Sequence, residues 1–309
     1  MREQHFKTAI ITILVIAGVS FLFPLLLTLT NSFMSEQEIE DNYSALEESG
    51  SSDSEESFMT GFTQESPATA DEASDSDEFL SLKLIPDEVV IRQYYTVLVE
   101  KTQFLYMVWN SIIIVVPIIL GQIAVASTAA YAFAKAGLKW RNQLFFIYIV
   151  VMLMPFQVTL VPNYLVADRL GLVGSYWSII LPGVFGTFGV FLLKQYMEYI
   201  PDSYLEAARV DGAGHIRVFT LIVLPMSKAG IAALAILLFV DNWNMVEQPL
   251  VFITEAVKQP LSIYLSRINS DERGVAFAAA TLYMLPMLLI FLYGENYLVE
   301  GIQLSGIKG

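Results

Sequence analysis

Cysteine is absent from this 309-residue chain, which excludes disulfides and thiolate metal sites. Histidine is nearly absent too. His5 and His215 stand apart, with no H-E-x-x-H pattern and no nucleophile–base set, which speaks against a membrane-embedded enzyme such as an intramembrane hydrolase. No G-x-x-x-x-G-K-[ST] phosphate loop occurs, so the chain supplies no nucleotide site of that form. An internal repeat of the kind expected in a self-sufficient secondary transporter is not found. Charge is scarce, at 16% of residues against about 25% in soluble domains.

What is abundant is apolar: 55% of residues are hydrophobic and 13% aromatic. A crossing helix needs ~20 mostly apolar residues. Five uncharged runs meet that length, at Thr8–Ser35, Thr102–Ala134, Asn142–Ala167, Leu170–Leu193 and Gly274–Gly294. A sixth, Ala229–Thr254, carries Asp241 and Glu247. So many helices apolar on every face cannot be the interior of a soluble protein this small. Arg2 and Lys7 precede the first run as in a signal peptide, but the run is too long and no small-residue cleavage site follows Leu29. The expectation is an all-α polytopic membrane protein with six transmembrane helices, the first retained. With the amino terminus inside, inner segments carry ten Lys or Arg and short outer loops four (Arg169, Lys258, Arg267, Arg273), so both termini are expected in the cytoplasm. Pro24, Pro117, Pro155, Pro182 and Pro286 fall inside the runs, where kinks or breaks are expected.

The formal charge of −14 belongs to one place. Residues 34–102 hold 18 of the 31 acids and three bases, Lys83, Arg92 and Lys101, leaving the rest close to neutral. The charge therefore says nothing of nucleic acid, and no nucleic-acid partner is expected. Ser44–Phe79 has too few apolar side chains to offset ordering entropy and reads as a flexible loop; no D-x-[DN]-x-[DN]-G calcium loop is present. Within Leu80–Val99 apolar residues alternate (Val89, Ile91, Tyr95, Val97), which suits packing on an extracellular partner.

Between the fourth and fifth runs, Ile200 to His215 reads as a short helix at the cytoplasmic face. Ser203 and Glu206 have capping-box spacing behind Pro201, and Gly212 is placed to end the helix in the left-handed conformation. A second turn follows over Ile216–Leu221, then Leu224-Pro225. Ala207 and Ala208 leave a bare surface. A helix lying on lipid would want a broad apolar face, so docking to a protein suits these residues better than a connector resting on the bilayer.

Glu206-Ala207-Ala208, Asp211-Gly212 and Leu224-Pro225 resemble the EAA loop of permeases in binding-protein-dependent ABC importers. The likeness continues through Asn31-Ser32-Phe33, Asn110-Ser111, Ala130-Tyr131-Ala132-Phe133, Pro162, Pro201, Trp243-Asn244, Pro249-Leu250, Pro286 and the tail Gly301 to Lys308-Gly309. It is similar to the carbohydrate-uptake branch, and within it to the smaller permease of maltose-type transporters. The resemblance implies a type I importer permease fold with a large acidic extracellular insertion after the first helix. It divides the chain into 1–34 (cytoplasmic amino terminus and first helix), 35–102 (insertion, partly disordered) and 103–309 (five-helix core with the EAA coupling loop at 200–226). It implies a transport subunit of the bacterial cell membrane rather than an enzyme. Its partners would be a second homologous permease, a pair of cytoplasmic ATPase subunits that bind ATP and Mg, an extracellular substrate-binding protein, and the lipid bilayer. No cofactor is expected in this chain. Glu206, Ala207, Ala208, Asp211, Gly212, Ala213 and His215 are the implied ATPase-coupling residues. Two departures stand out: the family usually has a proline near Ala229, and an acid after Trp-Asn where this chain has Met245.

Charge inside a membrane segment is costly and marks function by default. Asp241, Trp243, Asn244 and Gln248 are the candidate substrate path; Asp241, Asn244 and Gln248 are expected on one face of the fifth helix, where hydrogen bonding to a partner permease explains them equally well. A sugar or oligosaccharide is the implied cargo, with a peptide or another polar solute as alternatives.

Overall fold

A computed structural model of the chain describes residues 2–43, 85–137, 139–267 and 272–306. Ser44–Phe79, the bulk of the expected insertion, lies outside the described residues. The chain runs through α1 (Arg2–Asn31), a helix over 36–43, and Arg92–Tyr95 with a wider π-type turn over Thr96–Glu100. Then follow α2 (Thr102–Lys135), α3 (Arg141–Met152), α4 (Phe156–Arg169), α5 (Trp177–Val184), α6 (Thr187–Glu198) and α7 (Asp202–Val210). The last elements are α8 (His215–Met226), α9 (Lys228–Trp243), α10 (Glu247–Phe252) and α11 (Arg273–Gly306).

Among the described residues, four helices are long and apolar enough to cross a membrane: Phe6–Asn31, Thr102–Lys135, Trp177–Glu198 (α5 with α6) and Arg273–Leu298. The count reaches 6 when each of two bent pairs is one span, α3 with α4 at 96° and α8 with α9 at 71°. Two runs expected as single helices are interrupted, the first at the α3–α4 bend and the second between Trp243 and Glu247. Asn142–Ala167 is not one helix but two, because Pro155 has no N–H for the Val151 carbonyl and disfavours helical geometry at Met154. The Val151 carbonyl instead accepts from the Met154 N–H at 3.2 Å. Ala229–Thr254 is also broken. Pro249 cannot satisfy the Met245 carbonyl, which takes a 2.5 Å hydrogen bond from the Ser262 hydroxyl, and α9 stops at Trp243.

The chain separates into two compact units, Met1–Lys101 with Arg267–Leu282, and Thr102–Ser266 with Tyr283–Gly309. In the first, the end of α1 is pinned by its polar residues. Asn31 donates to the Tyr43 hydroxyl at 2.5 Å, the Ser32 and Tyr94 hydroxyls share a 2.7 Å hydrogen bond, and the Val90 N–H donates to the Phe33 carbonyl at 2.8 Å. Gln93 donates to the Met34 carbonyl, and Lys101 pairs with Glu272. Met34, Ile39, Val97 and Ala278 are buried around them. The alternation over 89–97 is not an extended strand: from Arg92 on it is helical, so Val97 is buried while Val89, Ile91 and Tyr95 are exposed.

The second unit is organised along α2. Ile114 and Ile118 join Ala167, Ile179, Ile180, Phe252 and Ile253 in one cluster. Further along, Ala126, Ala130, Tyr131 and Ala134 pack with Val190, Leu193 and Met197 of α6 and with Leu234 and Leu238 of α9. Apolar lipid offers little hydrophobic drive between helices, so close backbone approach and hydrogen bonds matter more. Buried Gln122 donates to the Gly186 carbonyl at 3.2 Å, where a Cβ would stand 2.6 Å from the Gln122 amide nitrogen. At Gly230 a Cβ would come within 2.5 Å of the Tyr196 ring.

Gly230→Val is expected to lower the stability of the detergent-purified chain by about 1–3 kcal/mol, the usual range for overpacking. The equivalent change at Gly18, which has nothing within 4 Å, is the control. Thermal unfolding of both variants reads the difference; equal melting would contradict the packing described.

Candidate functional site

The segment from Ile200 to Met226 carries α7 and α8. The expected capping box does not form: Pro201, with φ −59° and ψ 135°, occupies the N-cap, Asp202 starts the helix, and no side chain caps it. Ser203 is therefore inside the first turn rather than ahead of it. The end of the helix matches expectation. Gly212 has φ +82°, its N–H donates to the Arg209 carbonyl at 3.0 Å, and the Ala213 N–H donates to the Ala208 carbonyl at 2.9 Å. This paired closure satisfies carbonyls that a helix end leaves orphaned.

The sequence-derived coupling residues divide by side. Glu206, Ala207, Asp211, Gly212 and His215 are exposed. Ala208 and Ala213 turn inward and pack on the core that contains Leu205, Val218 and Val223. Leu205 is 2% exposed, which fixes α7 to the bundle, whereas Val210 is 88% and Ile216 80% exposed. The outward surface thus combines bare backbone, apolar side chains (Tyr204, Val210, Ile216, Leu221) and mixed charge, as suits a protein partner.

One residue of this region gave no signal in the sequence beyond being a cation at a helix end. Lys135, in the last turn of α2, has a side chain only 6% exposed and donates to the Ile200 carbonyl at 2.6 Å and to Oδ1 of Asp202 at 2.7 Å. A charge-assisted hydrogen bond such as the one to Ile200 contributes about 1.5–3 kcal/mol. The hydrogen bond from Lys135, and then its charge, hold the Asp202 carboxyl below its ordinary 3.8.

The candidate path residues do not share one helical face. Asp241 is exposed on α9, and Trp243 is buried as the last residue of that helix. The Trp243 indole donates to the Tyr283 carbonyl at 3.2 Å, and the Tyr283 hydroxyl donates to the Trp243 carbonyl at 3.2 Å and to Oδ1 of Asn244 at 2.7 Å. Trp243 also stacks on Phe239, with centroids 5.2 Å apart. Gln248 lies beyond the break on α10, buried, with its amide 3.4 Å from the Ser178 carbonyl. Beside it, Gln157 of α4 reaches both oxygens of exposed Glu247 at 3.3 Å. The break after α9 thus leaves the Trp243–Tyr283–Asn244 cluster on one side and the Gln157–Glu247 contact on the other, while Gln248 is buried against α5.

The loop after α10 is tied to α2 by Asn110 and Ser111. Asn110 donates to the carbonyls of Val257 (2.7 Å) and Gln259 (3.0 Å) and accepts from the Tyr176 hydroxyl at 2.8 Å. The Ser111 hydroxyl accepts from the Leu261 N–H at 2.8 Å. These bonds seat a non-helical segment on the bundle.

Residues 122–303, more than half of the chain, match a family model described as binding-protein-dependent transport system inner membrane component. The chain is 32% identical over 208 residues (66% of this chain, 74% of the other) to the sn-glycerol-3-phosphate transport system permease protein UgpE of Pectobacterium atrosepticum. It is 29% identical over 210 residues (66% and 75%) to the arabinooligosaccharides transport system permease protein AraQ of Halalkalibacterium halodurans, and 30% over 246 residues (74% and 82%) to the protein LplC of Bacillus subtilis. Among solved structures, a bacterial ABC transporter involved in the import of the acidic polysaccharide alginate superposes with a TM-score of 0.75 over 96% of this chain and 98% of that one, at 20% identity.

The depressed Asp202 carboxyl gives a signed expectation. Its value in the folded chain lies below that of the unfolded chain, so the contact stabilises at neutral pH and is lost as the pH falls below 3.8 through the folded value. A carboxyl-carbon NMR titration is expected to place the Asp202 midpoint below 3.8, rising towards it in Lys135→Met. An unchanged midpoint in the variant would contradict the pairing.

Proposed function

The chain belongs to the family of inner membrane components of binding-protein-dependent transport systems, and on that premise we propose that it forms, with a second homologous permease, the path by which a neutral sugar or oligosaccharide enters the cell. It is a membrane-embedded ABC importer permease, a transport subunit and not an enzyme. Both termini lie in the cytoplasm in this proposal, which the excess of Lys and Arg on one set of connections supports. ATP and Mg are bound by a pair of cytoplasmic ATPase subunits, and cargo arrives from an extracellular binding protein. The acidic stretch after α1 then lies outside.

The observation that carries the coupling role is the two-sided build of Ile200–Met226. Leu205, Ala208, Ala213, Val218 and Val223 face the bundle core, while Glu206, Val210, Asp211, Gly212 and His215 are left outward. A helix held on one side and bare on the other transmits a push from a docked subunit. The second role, substrate path, is supported by the carboxylates of Asp241 and Glu247 near the broken spans. Two carboxylates repel an anion, which favours a neutral polyhydroxy cargo over a phosphate or a uronate. A peptide or another polar solute is the competing cargo.

Affinity purification of the tagged chain from its own cells is expected to retain an ATPase. In proteoliposomes that complex, with its binding protein, is expected to hydrolyse ATP faster with neutral oligosaccharides than with uronate oligomers or glycerol phosphate. Faster hydrolysis with anions or peptides would overturn the cargo assignment. Gly212→Asp and Glu206→Lys are expected to lower stimulated hydrolysis by about tenfold or more, in line with losing 1–3 kcal/mol of coupling, while the protein stays in the membrane. Undiminished stimulation in both would overturn the coupling role.

A further inference from the structure

Three helix ends meet at Lys135: the carboxyl end of α2 on which it sits, the stretch closing α6 at Ile200, and the amino end of α7 at Asp202. A cation is favoured at the first two, where orphaned carbonyls gather, and an acid at the third. Asp202 meets the last demand, and the Lys135 ammonium group meets the other two and joins the three ends, 2.6 Å from the Ile200 carbonyl and 2.7 Å from Oδ1 of Asp202. Its side chain is nearly inaccessible although its partner Asp202 is 72% exposed, so the lysine reaches out from the bundle to the connecting helix. Close by, Arg141 donates to the Ala134 carbonyl at 3.4 Å, so the end of α2 is held from the α3 side as well.

The apolar contacts of Leu205 and Val218 hold α7 and α8 against α2, and Tyr131 meets Phe219 with centroids 5.1 Å apart. Such contacts are non-directional and do not by themselves select one packing of the helices over another related by a small shear. Charge-assisted hydrogen bonds are directional and short. From this geometry we propose that Lys135 is a positioning residue for transport, a polar strut that makes α7 and the end of α2 move as one body. The proposal rests on the coupling role assigned above to the α7 segment and names the residue that carries its motion into the long helix.

Because the chain has no cysteine, two labels can be placed without background from this subunit, any cysteines of its partners being replaced first. Spin labels at Thr128→Cys on α2 and Ser203→Cys on α7, both exposed positions, report the separation of the two helices in the purified complex. With Lys135 present, one narrow distance distribution is expected, the same in nucleotide-free and ATP-trapped states. In Lys135→Met the distribution is expected to broaden by about twofold or to differ between the two states, while basal ATP hydrolysis by the bound ATPase changes less than about twofold. Lys135→Arg, which keeps charge and donors, is expected to restore the narrow distribution. Should Lys135→Met fail to assemble, Asp202→Lys places a second cation against the strut at an exposed site and is expected to broaden the distribution in the same way. A distribution unaltered by Lys135→Met, or by Asp202→Lys in its stead, overturns the strut. Failure of the unmutated chain to retain an ATPase overturns the coupling role instead, whatever Lys135 does.

Discussion

The connecting segment between α6 and α9 shares its core with the longest helix of the second unit, and most of what the molecule can do follows from that packing. Leu205, Val218 and Val223 are buried together with Ala126, Ala130, Tyr131 and Ala134 of α2 and with Val190 and Leu193 of α6. A connector that only joined two spans would need none of these contacts. Here the short helix α7 cannot shift without disturbing side chains on α2, α6 and α9, because interiors are close-packed and rearrange between discrete states rather than deform smoothly. The Schellman closure at Gly212 and the polar tie from Lys135 fix its two ends. What remains exposed is a small, two-ended, partly apolar surface, and that is where the proposed partner subunit docks.

The bent spans answer a different constraint. Backbone groups at membrane depth must find partners within the protein. At the break after α9 the Met245 carbonyl, orphaned by Pro249, is met by the Ser262 hydroxyl, and the loop supplying Ser262 is itself held by Asn110 and Ser111 of α2. The same breaks bring polar side chains together that a continuous helix would have spread along its length. Asn244, Tyr283, Glu247 and Gln157 acquire their neighbours through the end of α9 at Trp243 and the bend at Pro155. A path for a polar solute needs that concentration of donors and acceptors, so the interruptions that look like defects in a hydropathy profile are where polar chemistry is located.

Several of these features were readable residue by residue. Gly212 announced the end of α7, since a left-handed position directly after a short amphipathic stretch is where glycine is needed. Glu206-Ala207-Ala208 with Asp211-Gly212 carried the family, which the match over residues 122–303 bears out. Prolines flagged breaks, though not which would bend the chain: Pro155 does, whereas Pro24, Pro117, Pro182 and Pro286 sit inside helices. The capping box failed by two residues, because the dihedrals preset by Pro201 favour starting the helix at Asp202. Lys135 looked like one of ten inner-side cations, and nothing local marks its reach to a residue 67 positions away.

Membrane class, helix content, the approximate crossing segments and the family motifs were determined by the sequence alone, because each depends on residues close together along the chain: apolar run length, capping glycine, ordered dipeptides. Tertiary structure decided the rest. Which face of α7 is buried, which carbonyl Lys135 meets, how the fifth run divides at Trp243 and what satisfies the Met245 carbonyl all depend on residues 15 or more positions apart brought together by packing. Local propensity cannot specify such pairings, since their energy exists only after the helices have closed on one another.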